Sequence, residues 1–251
     1  MIKQSAPARR HRFTSRRRTV IEPKTISSEI TNQLRKLGRG SRHTDRPSAQ
    51  PDLGVYTGDL RGVVKDFKAR TKAEPAAFVL DLARALLAKK ITECRQVAYE
   101  LIAGHRAARE SLNLKTIEEL GAGIDNWACV DVFCCHLVGR AWRDGLIKDS
   151  AIMRWSRSTD LWWRRAAVVA TVPLNSKTHG GTGDAERTLM VCGALAADKE
   201  VMVQKAISWA LRKLVPWDKK AVVGFLARNE QALSALVLRE VSRKVKTGKK
   251  N

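Results

Sequence analysis

Three short segments carry the residues whose types and spacing offer chemistry. In Asn126-Trp127-Ala128-Cys129-Val130-Asp131, the indole of Trp127 and the carboxyl of Asp131 stand four positions apart. On a helix they project from neighbouring turns of one flank, with Asp125 or Asn126 available to cap the helix start. The pairing joins a planar apolar surface to an acid. From Leu161 to Val172, the residues Leu161, Val168, Val169 and Val172 make an apolar stripe with Arg165 in its middle. A guanidinium in low-dielectric surroundings cannot discharge by losing a proton, so it demands an anion and hydrogen bonds. That anion is either a carboxylate, for which Asp131 is the candidate, or a phosphate. Trp162 and Trp163 border the same region, and two adjacent side chains on a helix cannot point the same way, which assigns one of them to packing. From Val201 to Leu214, the residues Val203, Ile207, Ala210, Leu211 and Leu214 share one side at about 100° per residue, and Trp209 falls opposite, flanked by Lys205 and Arg212. A large aromatic on a cationic face is either covered by a neighbouring helix or offered to a nucleic acid. Spacing alone leaves both open.

Other polar clusters point to no chemistry of their own. Cys129 and Cys134 lie roughly 140° apart on a helix, and the set Cys129, Cys134, Cys135 and His136 lacks the paired, turn-borne ligands of a structural zinc site. No metal is expected. Gly121-x-Gly123 lacks the preceding strand and third glycine of a nucleotide fingerprint, and nothing resembles a phosphate-binding loop, so no cofactor and no ATP dependence are expected. Neither His105, beside Arg106 near a turn, nor His179 stands in a catalytic arrangement.

The elements that must position these residues are helical. Apolar spacing and caps predict helices near 57–70, 74–88, 92–103, 114–121, 126–142, 148–156, 160–173, 184–196, 199–214, 217–228 and 230–245, and strand-like alternation is scarce. The run ending at Leu87 is rich in alanine and leucine, which favour a helix. Residues 175–183 have glycine at 180, 181 and 183 and no apolar period, which predicts a flexible loop. Successive helix pairs of this length suggest an all-α solenoid with an extended concave surface, although no strict repeat is visible and an irregular helical bundle is the alternative.

Charge narrows the partners. The chain has 251 residues, 47 basic against 25 acidic, and a formal net charge of +22, a field that draws in polyanions before any specific contact forms. DNA, RNA and an anionic membrane all satisfy that condition. Residues 1–50 carry 13 basic and 3 acidic side chains, a net charge of about +10. With few residues able to fill a core, they are expected to form a basic, flexible arm with at most a short helix near Ile26 to Leu37. The folded domain is expected over 51–246, followed by a basic tail at 247–251. The arginine-rich start lacks the apolar stretch of a secretory signal, and no run reaches the length of a membrane span. Five cysteines, odd in number and unevenly spaced, read as reduced thiols. The expectation is a cytoplasmic protein, nucleoid-associated if its partner is DNA.

At Asn126–Asp131, Trp162-Trp163-Arg164-Arg165-Ala166-Ala167 and Val203–Arg212, taken in order, the chain resembles the bacterial AlkD-like DNA alkylation repair glycosylases, which are built from HEAT-like helical repeats. The similarity runs from about Leu53 to Arg243. It implies a HEAT-like solenoid with a concave DNA-binding surface. It further implies hydrolytic excision of positively charged N3- or N7-alkylated purines from duplex DNA; no obligate protein partner is inferred. By this resemblance Asp131 is the catalytic carboxylate, Trp127 and Trp209 are aromatic walls around the damaged nucleotide, and Arg165 contacts the DNA backbone; Lys205 and Arg212, on the cationic face around Trp209, are expected to add DNA contacts. The chain departs from the family pattern in having Asn126 and Ala128 where a second tryptophan and an acidic residue often flank the first tryptophan.

Overall fold

A computed structural model describes residues 22–40 and 48–249. Among these residues the regular structure is entirely helical. The α-helices are α1 Pro23–Leu37, α2 Thr57–Thr71, α3 Ala76–Leu87, α4 Thr92–Gly104, α5 Arg106–Glu110, α6 Leu114–Gly121, α7 Trp127–Phe133, α8 Gly139–Arg143, α9 Asp149–Trp155, α10 Leu161–Val169, α11 Ala185–Ala194, α12 Val201–Leu214, α13 Lys219–Arg228 and α14 Ala235–Thr247. They form a HEAT-like helical-repeat solenoid, the architecture that helix pairing and the family resemblance together lead one to expect. No described helix is long and apolar enough to cross a membrane.

The helices stack in two rows. One row is α4, α7, α10, α12 and α14, each packed on the next; it carries Asp131, Arg165, Trp209 and Arg212. The other row includes α1 on α3 at one end, and α11 against α9 and α13 towards the other. A continuous apolar core runs between them, and the stripe of α12 shows why: Val203, Ile207, Ala210, Leu211 and Leu214 are all fully buried. Each valine, isoleucine or leucine among them contributes about 1.5–3 kcal/mol by leaving water.

Four expectations need correction. The short helix expected near Ile26 to Leu37 is present as α1, but it belongs to the folded body: Ile26, Ile30 and Leu34 recur at helical spacing and lie in the core against α3. Its low content of apolar residues hid this, because three well-spaced ones suffice for one buried stripe. Residues 1–21, 41–47 and 250–251 lie outside the described residues, and so does most of the expected arm's charge. The expected tail at 247–251 begins with Thr247, the last residue of α14.

Residues 175–183 are not a loose loop. They form 3-10 turns at Pro173–Asn175 and Lys177–His179, fastened by the buried Asn175. Its amide nitrogen donates to Thr171 O at 3.0 Å and Thr188 Oγ1 at 2.7 Å, and its Oδ1 accepts from the Asp184 N–H. A side chain at Gly181 would meet the carbonyl oxygens of Pro173 and Leu174 at 2.2 and 2.4 Å. Glycine here permits close packing, whereas the sequence suggested freedom of movement.

The expected single helix over 126–142 is interrupted by a π-helical turn at Cys134–Val138, between α7 and α8. The Gly139 N–H donates to Cys134 O, five residues back, which shifts the helical register past Asp131. The short helix α5 escaped the periodicity altogether; the His105 imidazole caps it by accepting from the Ala108 N–H at 3.1 Å.

Candidate active site

The local start of α7 sets the site. Asn126 Oδ1 accepts from the Cys129 N–H at 2.9 Å, a cap worth about 1 kcal/mol. Asp125, the other capping candidate, instead accepts from Ser48 Oγ at 2.7 Å and the Ala49 N–H at 2.6 Å. Those bonds pin a strap, residues 48–55, across the N-terminal end of α7. Buried Arg95 donates through Nε to Gln50 Oε1 and through Nη2 to Ala122 O, tying the strap to the turn that precedes α7. Further along, Glu93 accepts from the N–H groups of Leu53 and Val55 at 3.1 and 3.2 Å. Gly54 turns the strap at φ +71°, and a side chain there would collide with Gly40 O.

Between strap and helix lies a cavity of about 350 Å³. Trp127 and Asp131 both line it, as their spacing of four predicts, together with Asp52, Glu93, Glu100 and His136. Four carboxyls thus face one cavity in a strongly cationic chain, with Arg61 and His136 as its basic members. Burial pushes the Glu93 carboxyl above its ordinary range.

Arg165 stands behind Asp131. Its Nη2–H and Nε–H both donate to Asp131 Oδ1, at 2.7 and 3.2 Å, and its Nη1–H donates to Met202 O at 2.5 Å. The guanidinium side chain is 6% exposed and that of Asp131 21%. The anion demanded by Arg165 is therefore the Asp131 carboxylate, and the pair links α7, α10 and α12. Among the described residues, nothing hydrogen-bonds to Asp131 Oδ2. Burial raises the Asp131 pKa above its ordinary 3.8, and the neighbouring Arg165 charge opposes that rise.

Trp209 and Arg212 line a second cavity, of about 380 Å³, with Lys213, Pro216 and Lys244. Trp209 is half-buried against the core, and Lys205 is exposed and lines neither cavity. Arg212 is engaged by Glu240, Nη2 to Oε2 at 3.5 Å, and by Ser208 O. Trp209 and Trp127 therefore wall separate hollows. Burial pushes the thiol of the half-buried Cys135 up to about 12, and the Asp131 carboxylate acts in the same direction. Of the adjacent tryptophans, Trp163 packs on Trp155 and Phe133, with ring centroids at 4.8 and 6.3 Å.

The sequence matches the family described as DNA alkylation repair enzyme over residues 27–245, almost the whole described body and starting inside α1. The chain belongs to this family. Among solved structures, the predicted DNA alkylation repair enzyme from Enterococcus faecalis matches with a TM-score of 0.65 at 18% identity, covering 88% of this chain and 93% of that one. At that identity the likeness concerns the fold. No curated protein matches the sequence.

The two-row fold places α7, α10 and α12 at the middle of the stack, but sequence reasoning missed several groups now seen beside them. Asp52, Glu93 and Glu100 reach the cavity from the strap and from α4. Lys213 and Lys244 meet from α12 and α14. Only His136 had a local signal available, and it was hidden by the π-helical turn. No group of three or more histidine, cysteine, aspartate or glutamate side chains suited to a metal ion occurs among the described residues.

Proposed function

We propose that the protein is a monofunctional DNA glycosylase that hydrolyses the N-glycosidic bond of positively charged N3- or N7-alkylated purines in duplex DNA. One observation carries this reading: Arg165 holds Asp131 by Oδ1 alone, so Oδ2 is left to the acidic, Trp127-walled cavity. A carboxylate fixed from behind with one oxygen uncommitted is pre-organised to face a developing cation.

The chemistry follows from the substrate's charge. As the bond from C1' to the base nitrogen breaks, its electron pair neutralises the cationic base and positive charge passes to the deoxyribose. Asp131 Oδ2 stabilises that sugar cation and orients a water whose oxygen bonds to C1', the proton passing to the carboxylate or to solvent. Trp127 supplies an aromatic face to the cationic partner. The four carboxyls favour a cation in the cavity, while the chain's overall charge and the Lys213/Lys244 hollow attract the phosphate backbone on either side. In this scheme Arg165 acts through Asp131, as a positioning residue, because three of its N–H groups, one on each nitrogen, are engaged by Asp131 and Met202 O and its side chain is almost wholly buried. The setting for such an activity is base excision repair at the nucleoid.

The ion pair also favours a second reading, in which Asp131 only neutralises Arg165 and the solenoid is a non-enzymatic DNA-binding scaffold. Single-turnover release of N7-methylguanine from a defined duplex separates the two. Asp131→Asn keeps the side chain's size and removes its charge. It is expected to lower release about a hundredfold, ~3 kcal/mol of barrier, with folding and most DNA affinity retained. Near-wild-type release by the folded variant, or none by the wild type at high enzyme concentration, would reject the glycosylase reading.

A further inference from the structure

Arg95 of α4 is a buried guanidinium that forms no ion pair with a carboxylate among the described residues. Its Nε–H donates to Gln50 Oε1 at 3.1 Å and its Nη2–H to Ala122 O at 3.0 Å. Its Nη1 donates to the Tyr99 hydroxyl oxygen at 2.9 Å and to Leu120 O at 3.2 Å. The Tyr99 O–H in turn donates to Leu120 O at 2.8 Å. All four acceptors of the guanidinium are neutral. Leu120 O and Ala122 O lie at the C-terminal end of α6, where the helix dipole supplies partial negative charge. The carboxyls on the same strap are committed elsewhere: Glu93 holds the N–H groups of Leu53 and Val55, and Asp125 holds Ser48 and Ala49.

Burying an arginine is costly unless an anion offsets it, and an apolar side chain of similar volume in such a place is often neutral or stabilising. What Arg95 fastens has no regular structure. The turn over residues 120–126 passes through Gly123 at φ +69° and leads straight into α7. Gln50, held by Arg95, also donates through Nε2 to Gly123 O at 2.5 Å. Strap and turn are thus one unit directly ahead of Trp127, the first residue of α7. The N–H groups of a helix's first turn have no partner within the helix, so the direction of Trp127 follows that of the turn. Asp131, a full turn later, has its own fastening in Arg165.

We propose that Arg95 is a positioning residue: by fastening the strap to this turn it sets the direction of Trp127 beside Asp131, and so the rate of base release, while contributing little to folding stability. The proposal rests on the glycosylase reading of the Asp131 cavity. Loss of the guanidinium frees Ala122 O at an exposed residue, where water replaces the donor, and leaves Leu120 O with the Tyr99 hydroxyl. Gln50 keeps its bond to Gly123 O. What disappears is the one group that binds α4, turn and strap together, and displacing a contact group by about 1 Å can slow a reaction roughly a hundredfold.

The test uses the full chain with Arg95→Met, an apolar side chain of similar reach. Single-turnover release of N7-methylguanine at saturating enzyme is measured beside melting temperature and affinity for a duplex carrying a tetrahydrofuran abasic analogue. Release should fall about tenfold, with affinity within about twofold and melting temperature within about 4 °C of the wild type, a small change for a chain of this size. A double-mutant cycle with Trp127→Ala decides the route: if Arg95 acts through Trp127, Arg95→Met lowers release no further once the indole is gone. Arg95→Lys keeps the charge but replaces the planar fork of donors by one ammonium, and serves in the same cycle if the methionine variant unfolds. Additive losses in the cycle, wild-type release by a folded variant, release that falls only in step with melting temperature, or unfolding of both variants each overturn the proposal and leave the glycosylase reading standing. No release by the wild type overturns both.

Discussion

Arg165 and Asp131 meet through a single carboxylate oxygen: Nη2 lies 2.7 Å and Nε 3.2 Å from Oδ1, with the guanidinium almost wholly buried and the carboxylate partly open. The geometry fixes the direction of Asp131, which lines the cavity, and leaves its other oxygen without a hydrogen bond from the described residues. It also makes Arg165 a structural element joining three helices through Asp131 and Met202 O.

Arg165→Gln should therefore lower unfolding free energy by about 3 kcal/mol, the scale for breaking one side of a buried ion pair. Its effect should also appear in the pH profile. The Arg165 charge lowers the Asp131 pKa, so its loss moves the acid limb of base release to higher pH. Chemical denaturation and single-turnover rates across pH check both. A folded variant whose acid limb is unmoved would show that Arg165 does not set the protonation of Asp131.

The direction of the Asp131 shift gives a second expectation. Its folded pKa is raised above 3.8 by burial, so the carboxylate needed for turnover is lost as pH falls through a value higher than an ordinary aspartate's. For stability the sign is opposite. The folded state binds this proton more tightly, so the contribution is present at low pH and is lost as pH rises from 3.8 through the folded value. Single-turnover base release should therefore show an acid limb in that higher range. A limb at or below pH 3.8 would contradict the burial of the carboxylate.

Trp209→Ala tests the second hollow. The ring packs partly on the core and partly lines the cavity with Lys213 and Lys244, so truncation should cost about 1–2 kcal/mol of stability. Affinity for duplex DNA should drop about tenfold, the scale of one lost aromatic stacking contact. Melting temperature and fluorescence anisotropy at fixed salt measure the two. Unchanged affinity beside a large loss of stability would place Trp209 in the core alone.

The N-terminal segment divides into two parts with different consequences. Residues 1–21 hold 7 basic and no acidic side chains; deleting them should leave the melting temperature unchanged and make the dependence of log affinity on log salt shallower. Leu34→Ala should instead destabilise by about 2–5 kcal/mol, because that side chain is fully buried on α1. Equal thermal losses from both changes would contradict the division.

Local features of this protein were legible in its sequence because they depend on neighbours a few residues away. Helical periodicity gave the all-α class and the buried stripe of α12, and the spacing of Trp127 and Asp131 gave their shared cavity. The apolar setting of Arg165 required an anion, and Asp131 was its candidate. What stayed open was which of several partners each group would find, since that depends on chain segments brought together from far apart. Only the folded chain sets Glu93 against the strap at Leu53 and Val55, engages Arg212 with Glu240, and seats Trp209 in a hollow apart from Trp127. Likewise, a glycine-rich segment that reads as mobile is packed because Asn175 and Thr188 fasten it, and His136 reaches the Asp131 cavity through one π-helical turn. Periodicity assigns a residue to a face of its own helix; tertiary packing decides what stands opposite that face, and so which charges are paired and which remain available.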